Sequence, residues 1–178
     1  RIGTFQYAAM QGNEVLKKLA DYSIRRHYPE LKNADERQLK FFAAVCQSQT
    51  RLVSKWMNIG FIHGVMNTDN VTISGETIDY GPCAFMDYYD QKTVFSSIDV
   101  AGRYCYGNQP AILVWNLSKL AEALIPLIGD EEQKSIEKLT EVLQLVMPSY
   151  KKNFYSEMGK KLGIDPIDQN NMYLIKDY

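Results

Sequence analysis

Apolar side chains recur every three or four residues over two stretches in the first half of the chain, the spacing typical of amphipathic helices. The first stretch covers residues 13–28 and is closed by Pro29. The second covers residues 34–58, with Asn33 as the predicted N-cap and Gly60 as the helix end. In the first stretch the predicted core-facing stripe consists of Val15, Leu19 and Tyr22, with Leu16, Ala20 and Ile24 beside them.

The second half of the chain repeats this helical spacing. Gly129 and Gly163 are predicted to end helices, Asp130 to cap one and Pro148 to begin another. With the first half, the pattern predicts about six helices. The three apolar stripes are Leu117, Leu120, Leu124 and Leu127; Ile136, Leu139, Leu143 and Val146; and Tyr150, Phe154, Met158 and Leu162.

A different pattern separates the two helical halves. Apolar and polar residues alternate over 71–73 and 77–80, around the turn residues 74–76, which predicts a small β-hairpin. Residues 81–110 show little periodicity, and a loop of that length is usually functional or anchored by side chains. The predicted fold class is therefore mainly α with a small β-hairpin, an α+β domain.

Composition narrows the possible partners. The chain has 178 residues, 46% of them hydrophobic, and a net charge of −1. This size fits one soluble domain, and the charge gives no reason to expect nucleic acid as a partner. Three widely spaced cysteines without a CxxC pair predict a reducing compartment and no zinc site. No run approaches the roughly 20 apolar residues of a membrane span, so no membrane partner is predicted.

The segment HGVMNTDN, residues 63–70, is followed by Asp79-Tyr80-Gly81. Because a hairpin brings its ends together, we expect Asn70 and Asp79 to lie within several ångströms of each other. Mg²⁺ prefers oxygen ligands and is often held by one or two side chains plus substrate phosphates. Asn70 and Asp79 therefore suggest half of a metal–nucleotide site, and Asp69 could accept a proton. Asx residues that cap a turn are the structural alternative.

Protein kinases arrange the same parts as H-R-D-x-x-x-x-N, followed by D-F-G. In an ungapped overlay His63 takes the histidine position, where it would mostly brace the backbone, and Asn70 takes the metal-binding asparagine position. Asp79 takes the D-F-G aspartate position. Val65 stands where kinases place the catalytic aspartate, and valine can neither accept a proton nor bind a metal. The overlay therefore predicts a kinase-like C-lobe without the usual base.

Longer stretches closely resemble the selenoprotein O family, also called the YdiU family. They cover most of residues 60–110, and the resemblance extends more weakly to RIGTFQ at the start and to residues 115–128. It implies a pseudokinase fold and transfer of AMP from ATP to hydroxyl side chains of proteins, with Mg²⁺ or Mn²⁺. The ATP would be flipped so that its α-phosphate faces the acceptor. The matching stretches are GFIHGVMNTDN, SGETIDYGPCAFMDYYD, TVFSSID and GRYCYGNQP.

Carried over residue by residue, the resemblance makes Asn70 and Asp79 the metal ligands and nucleotide contacts. Asp69 would be the catalytic base that compensates for Val65, and Arg1 would join the residues that contact phosphate. Family members also have an N-lobe, with a glycine-rich loop and a phosphate-binding lysine, and a C-terminal region. We therefore expect residues 1–178 to be a single kinase-like C-lobe domain from a longer chain, inactive when isolated.

These observations support one leading hypothesis, a protein adenylyltransferase that acts on ATP and protein substrates. Val65 favours an alternative, a catalytically inactive ATP-binding pseudokinase scaffold. A phosphotransferase that uses Asp69 as a displaced base is a third possibility, and a helical interaction domain with a structural polar loop is a fourth. The expected location is the bacterial cytoplasm, or the mitochondrion in a eukaryote.

Overall fold

The computed structural model describes residues 1–129, 131–164, 167–168, 171 and 173–176, so the predicted cap Asp130 lies outside the described residues. Within this part the chain forms helices around a single apolar core. The helices are α1 (Ile2–Met10), α2 (Asn13–His27), α3 (Arg37–Asn58), α4 (Gln109–Leu124), α5 (Glu132–Gln144), α6 (Val146–Leu162) and α7 (Tyr173–Lys176).

Helix α3 is the centre of the fold, because it packs against α4, α5 and α6. Its 22 residues correspond to about 33 Å of helix. Most of the apolar face of α3 is buried, and so are the leucines of the predicted stripe that lie in α4. Leu127, the last leucine of that stripe, lies beyond the end of α4 and is only partly buried. The prediction of that stripe is confirmed at Leu117, Leu120 and Leu124, each with 0% of its surface exposed.

The first half of the chain differs from the prediction at α1 and α2. Helix α1 was not predicted, although it packs against α2 and α4. In α2 the buried stripe is Leu16, Ala20 and Ile24, whereas Val15 and Tyr22 are about half exposed, at 46% and 49%. The two stripes lie side by side on the helix, and the packing partners of α2, chiefly α1, decide which one faces the core.

The start of α3 also differs from the prediction. The helix begins at Arg37 rather than near residue 34, and its N-cap is Glu36 instead of Asn33. A 3₁₀ turn at Pro29–Leu31 continues into further turns, in which the Ala34 N–H donates to the Leu31 carbonyl. Glu36 then adopts a left-handed φ of 49°, which redirects the chain into α3.

The second half follows the predicted helices with shifted boundaries. Val146 was assigned to the middle helix but begins α6, two residues before Pro148. Gly163 ends α6 with a left-handed φ of 72°, as predicted. The last stripe is buried at Tyr150 and becomes progressively exposed towards Leu162, which is 36% exposed.

The predicted hairpin is only partly present. Over 71–80 it is reduced to one antiparallel bridge between Val71 and Thr77. Helix α3 competes for its carbonyl groups, because the Gln49 side chain donates to the Thr72 carbonyl at 2.6 Å. The regular strands are instead β1 (Phe61–Ile62) and β2 (Ala84–Phe85), which pair antiparallel.

The stretch Tyr106–Leu127, which contains α4, is long and apolar enough to cross a membrane by length and composition alone. Its most apolar window has a mean hydropathy of 1.2, and half of that window is buried inside the fold. It also carries two fully buried polar side chains, Gln109 and Asn116. A core helix of a globular domain accounts for these features.

Candidate active site

Residues 63–83, here called the ligand loop, carry the predicted site. Strands β1 and β2 pair immediately outside this loop, with Ile62 opposite Ala84, and so bring its two ends together. The bridge between Val71 and Thr77 lies inside the loop. Asn70 directly precedes the bridge, and Asp79 follows it by two residues. The bridge therefore brings the segments that carry Asn70 and Asp79 to the same end of the loop.

His63 braces the ligand loop from inside. The ring is buried, and its Nε2 donates to the carbonyl of Ile78 at 2.8 Å, one residue before Asp79. Burial lowers the pKa of His63, although the Ile78 carbonyl and the Asp79 charge oppose this shift. A neutral ring with its proton on Nε2 fits this bond, because a carbonyl oxygen can only accept. His63 is therefore a positioning residue for the segment that carries Asp79.

Asn70 is tied to the same short segment. Its Nδ2 donates to the carbonyl of Val65 at 3.1 Å, which points the carboxamide nitrogen inward. Within the described part of the chain no donor reaches Asn70 Oδ1, and the residue is half-buried rather than enclosed. The oxygen atom that a hard cation would use is therefore the one left without a protein partner.

Asn67 shapes the turn that presents Asp69 and Asn70, and the sequence analysis did not assign it this role. Its Oδ1 accepts from the backbone N–H groups of Asp69 and Asn70, each at 3.1 Å. The Asn70 N–H also lies 3.0 Å from the Asn67 carbonyl. This is an Asx turn, and an asparagine two or three residues before the candidate residues Asp69 and Asn70 is a local signal that could have revealed it.

Asp79 is exposed and adopts a left-handed φ of 58°, one of only two non-glycine residues among those described with a positive φ. Aspartate tolerates this region better than most residues, and such backbone outliers cluster at functional sites. The chain after Asp79 packs closely against the start of the ligand loop, where Pro82 approaches Gly64. Gly64 has a φ of 86°, and a Cβ there would lie 2.8 Å from the Pro82 carbonyl oxygen.

Asp69 and Arg1 meet at the start of α1. The N–H of Gly3 donates to the carbonyl of Thr68 at 2.8 Å, and the N–H of Ile2 donates to the carbonyl of Val71 at 2.9 Å. Arg1 directly precedes these two residues, so its backbone lies near the segment that carries the exposed Asp69. Residues almost 70 positions apart in sequence are thus neighbours, and Arg1 lies at the edge of the ligand loop.

The ligand set suits a hard cation that shares its coordination with a substrate. No cluster of three or more His, Cys, Asp or Glu side chains occurs among the described residues. Asn70 Oδ1 and the exposed Asp79 carboxylate offer one neutral and one charged oxygen. Mg²⁺ is usually bound in this way, with water and substrate phosphates as the other ligands. The residues present therefore fit a magnesium–nucleotide site better than a metal cage built only of protein.

Several buried polar residues fix the ligand loop to the helices, and sequence reasoning missed their role. The side chain of Gln109 accepts from the His63 N–H at 3.0 Å and donates to the Phe61 carbonyl at 2.9 Å. Asn116 donates to the Met66 carbonyl at 2.8 Å. A polar residue inside an apolar helical stripe is the available signal, but the partner is about 50 residues away and periodicity does not reveal it.

Comparison with known proteins gives consistent matches. A family model described as "Protein adenylyltransferase SelO" matches residues 1–177. The chain is 53% identical over 178 residues to a "Protein nucleotidyltransferase YdiU" of Cereibacter sphaeroides, covering 99% of this chain and 37% of that protein. It is 51% identical over 177 residues to a protein of the same name from Bacillus thuringiensis, covering 99% of this chain and 36% of that protein.

The chain thus spans little more than a third of the length of the curated relatives that it matches. The family match, however, covers all but one of its residues, including the ligand loop and the start of α1. The resemblance noted in the sequence is confirmed, and the chain belongs to the protein adenylyltransferase SelO family.

Proposed function

We propose that this chain supplies the metal-binding half of the active site of a protein adenylyltransferase with a kinase-like C-lobe. The enzyme would transfer AMP from ATP to hydroxyl side chains of proteins. One observation carries the proposal: the segment His63–Val65 fixes both candidate ligands. Its histidine ring holds the Ile78 carbonyl beside Asp79, and its Val65 carbonyl holds the Asn70 carboxamide. The names of the family model and of the relatives support the same reaction class.

Asn70 Oδ1 and the Asp79 carboxylate would hold Mg²⁺ or Mn²⁺. When bound, the metal neutralises negative charge on the nucleotide phosphates. Among the described residues no hydrogen bond uses Asn70 Oδ1 or the Asp79 carboxylate, so these atoms are available to a cation. Arg1, at the edge of the ligand loop, would add positive charge near the phosphates. Further cationic groups would come from parts of the full-length protein outside this chain.

Asp69 would act as the base. The acceptor hydroxyl oxygen forms a bond to the α-phosphorus, and its proton passes to the Asp69 carboxylate. The bond between the α-phosphorus and the bridging oxygen breaks, and pyrophosphate leaves with the electron pair. Asp69 is exposed and free to receive a protein side chain, whereas the valine at position 65 contributes only its backbone carbonyl, to Asn70.

Two alternatives start from the same residues. Val65, in the place of the usual kinase aspartate, favours a scaffold that binds ATP without catalysis. Asp69 could instead serve a phosphotransferase as a displaced base. An adenylyltransferase would transfer the α-phosphate of ATP to protein, a phosphotransferase the γ-phosphate, and a scaffold neither. The position of a radiolabel therefore distinguishes the three functions.

The test uses the full-length protein with Mg²⁺ and ATP labelled on either the α- or the γ-phosphate. We expect labelling of protein from the α-phosphate only, and a loss of at least about 100-fold in Asp79→Ala. Asp35→Ala is the matched control. Asp35 is also an exposed aspartate, but it precedes the N-terminus of α3, whereas the ligand loop follows its C-terminus. The isolated chain of residues 1–178 should transfer little or no AMP.

Labelling from the γ-phosphate alone would contradict AMP transfer and support the phosphotransferase. Binding of ATP with no labelling from either position would support the scaffold. Equal labelling by Asp79→Ala and the unchanged protein would remove Asp79 from the proposed site. Asp79→Ala should lose no core packing, because the side chain is exposed. Its small cost in stability should come from the left-handed φ, which aspartate tolerates better than alanine.

A further inference from the structure

The first turn of α1 packs directly on the part of the ligand loop that carries Asp69. Two backbone N–H groups at the start of the helix, those of Ile2 and Gly3, donate to the carbonyls of Val71 and Thr68. These are donors that a helix N-terminus leaves without partners inside the helix. The two bonds hold both ends of the segment from Thr68 to Val71, and Asp69 lies within that segment.

Gly3 has almost no space above its Cα. A Cβ at this position would lie 2.1 Å from Asp69 Oδ1 and 3.0 Å from Asp69 Cγ. The same Cβ would lie 3.3 Å from Thr68 Oγ1. Gly3 is only partly exposed and sits in regular helix, so its lack of a side chain serves close packing here rather than an unusual backbone conformation.

The Asp69 carboxylate has no direct bonding partner in the part of the chain that the structure describes. Within the described residues it makes no hydrogen bond and no ion pair; only its backbone N–H is held, by Asn67. The position of the carboxylate therefore depends on which rotamers the neighbouring surface allows. Gly3 carries only a hydrogen where other residues carry a Cβ, and this leaves room for the observed rotamer.

We infer that Gly3 is a positioning residue for Asp69: it leaves the space in which the carboxylate lies across the first turn of α1. This inference rests on the proposed function of Asp69 as the base. Helix α1 cannot move aside to accommodate a Cβ, because Ile2, Phe5 and Ala8 anchor it in the core with at most 4% of their surface exposed. The carboxylate is the flexible partner, so it is the group that a substitution displaces.

Gly3→Ala separates this role from a role in folding. Alanine is a better helix former than glycine, so the variant should keep or raise the midpoint of thermal unfolding. The rate should nevertheless fall, because a displacement of about 1 Å in a reacting group can cost about 100-fold. In the full-length protein we expect kcat for AMP transfer to fall by about 10- to 100-fold, with an unchanged KM for ATP.

Two comparisons complete the test. Thr4→Ala is the matched control, since Thr4 is exposed in the same helical turn, and it should leave kcat unchanged. In an Asp69→Ala background Gly3→Ala should have no further effect on the residual rate, because no carboxylate remains to be displaced. A crystal structure of Gly3→Ala should show the Asp69 side chain in a different rotamer with α1 in place, which tests the inference without any assay.

The possible failures are distinguishable. If Asp69→Ala is inactive but Gly3→Ala keeps full kcat, the inference is overturned and the proposed base stands. An equal fall of kcat on Gly3→Ala in both backgrounds would also overturn it, because the effect would not pass through Asp69. If Asp69→Ala keeps full activity, the role of Asp69 fails first and the positioning role falls with it.

Discussion

The ligand loop and the segment that follows it, residues 86–105 (here called the outer segment), differ in what holds them. Helices α3 and α4 fix the ligand loop through buried side chains, including Gln49, Trp56 and Gln109. The outer segment is held mostly by its own turns, such as the Asp99 carboxylate accepting from the N–H groups of Arg103 and Tyr104. Its exposed apolar side chains are Tyr88, Tyr89, Phe95, Ile98 and Val100.

This difference shows how a segment without regular secondary structure can still be fixed relative to the core. A loop has few backbone hydrogen bonds of its own, so its polar groups must find partners elsewhere when they are buried. The ligand loop finds them in side chains of rigid helices, which fixes its position relative to the core. The outer segment remains near solvent and needs fewer such partners. Functional side chains placed by a rigid scaffold are held more accurately than those on a free loop.

The largest effect should come from removing Gln109. Gln109→Ala leaves the buried N–H of His63 and the buried carbonyl of Phe61 without a partner, and each unsatisfied group costs about 1–3 kcal/mol. We expect the free energy of unfolding to fall by about 2–5 kcal/mol in urea denaturation of the full-length protein.

The adjacent residue gives the matched comparison. Asn108 also bonds two carbonyls, those of Gly102 and Arg103, but its bonds are exposed and serve the outer segment. Asn108→Ala should cost less than about 1 kcal/mol. Equal losses for the two variants would contradict the proposed difference between the segments.

The next effect should be a dependence of stability on pH that comes from His63. Burial beside the Trp56 ring lowers its pKa in the folded protein, despite the nearby Asp79 charge and the Ile78 carbonyl. Below its ordinary value of about 6.5 the unfolded chain binds the proton before the folded chain does. Stability should therefore be complete above pH 6.5 and fall as the pH drops below it, by at most about 1.4 kcal/mol per pH unit.

Urea denaturation between about pH 7.5 and pH 5 measures this slope. His63→Gln should reduce it, because glutamine can still donate to the Ile78 carbonyl but does not titrate in this range. The same substitution at His27, which is exposed at the end of α2, is the control and should leave the slope in place. A slope that survives His63→Gln would assign the pH dependence to other groups.

The sequence predicted what depends on local spacing. Helical periodicity located most of the helices, and the motif spacing correctly indicated that the segments of Asn70 and Asp79 converge, although the regular strands lie outside the predicted hairpin. The Asx turn of Asn67 is also a local feature, and the spacing of Asn67 from Asp69 and Asn70 could have predicted it.

The missed features depend on contacts between distant parts of the chain. Gln109 and Asn116 act on carbonyls about 50 residues away, and Gly3 acts on Asp69. The α2 stripe was misplaced for the same reason, since the packing of α1 selects one of two adjacent apolar faces. Without the contact partner, the spacing of residues does not distinguish a functional polar group from an ordinary one.

The smallest effect should come from a tyrosine of the outer segment, compared with a tyrosine that serves the ligand loop. Tyr28 donates its hydroxyl to the Ile73 carbonyl at 2.5 Å, so Tyr28→Phe should cost about 1 kcal/mol, the contribution of one buried hydrogen bond. Tyr88 is 79% exposed, so Tyr88→Ser should change the free energy of unfolding by less than about 0.5 kcal/mol.

Urea denaturation of both variants in the full-length protein sharpens the comparison further. The relatives are almost three times as long as this chain, and their other regions could pack on the outer segment. A loss above about 1 kcal/mol for Tyr88→Ser would mean that its ring is buried in the full-length protein, because one exposed ring has little packing energy to lose. The ligand loop would then be held by helices of this chain and the outer segment by other regions of the full-length protein. The two segments would be held equally firmly.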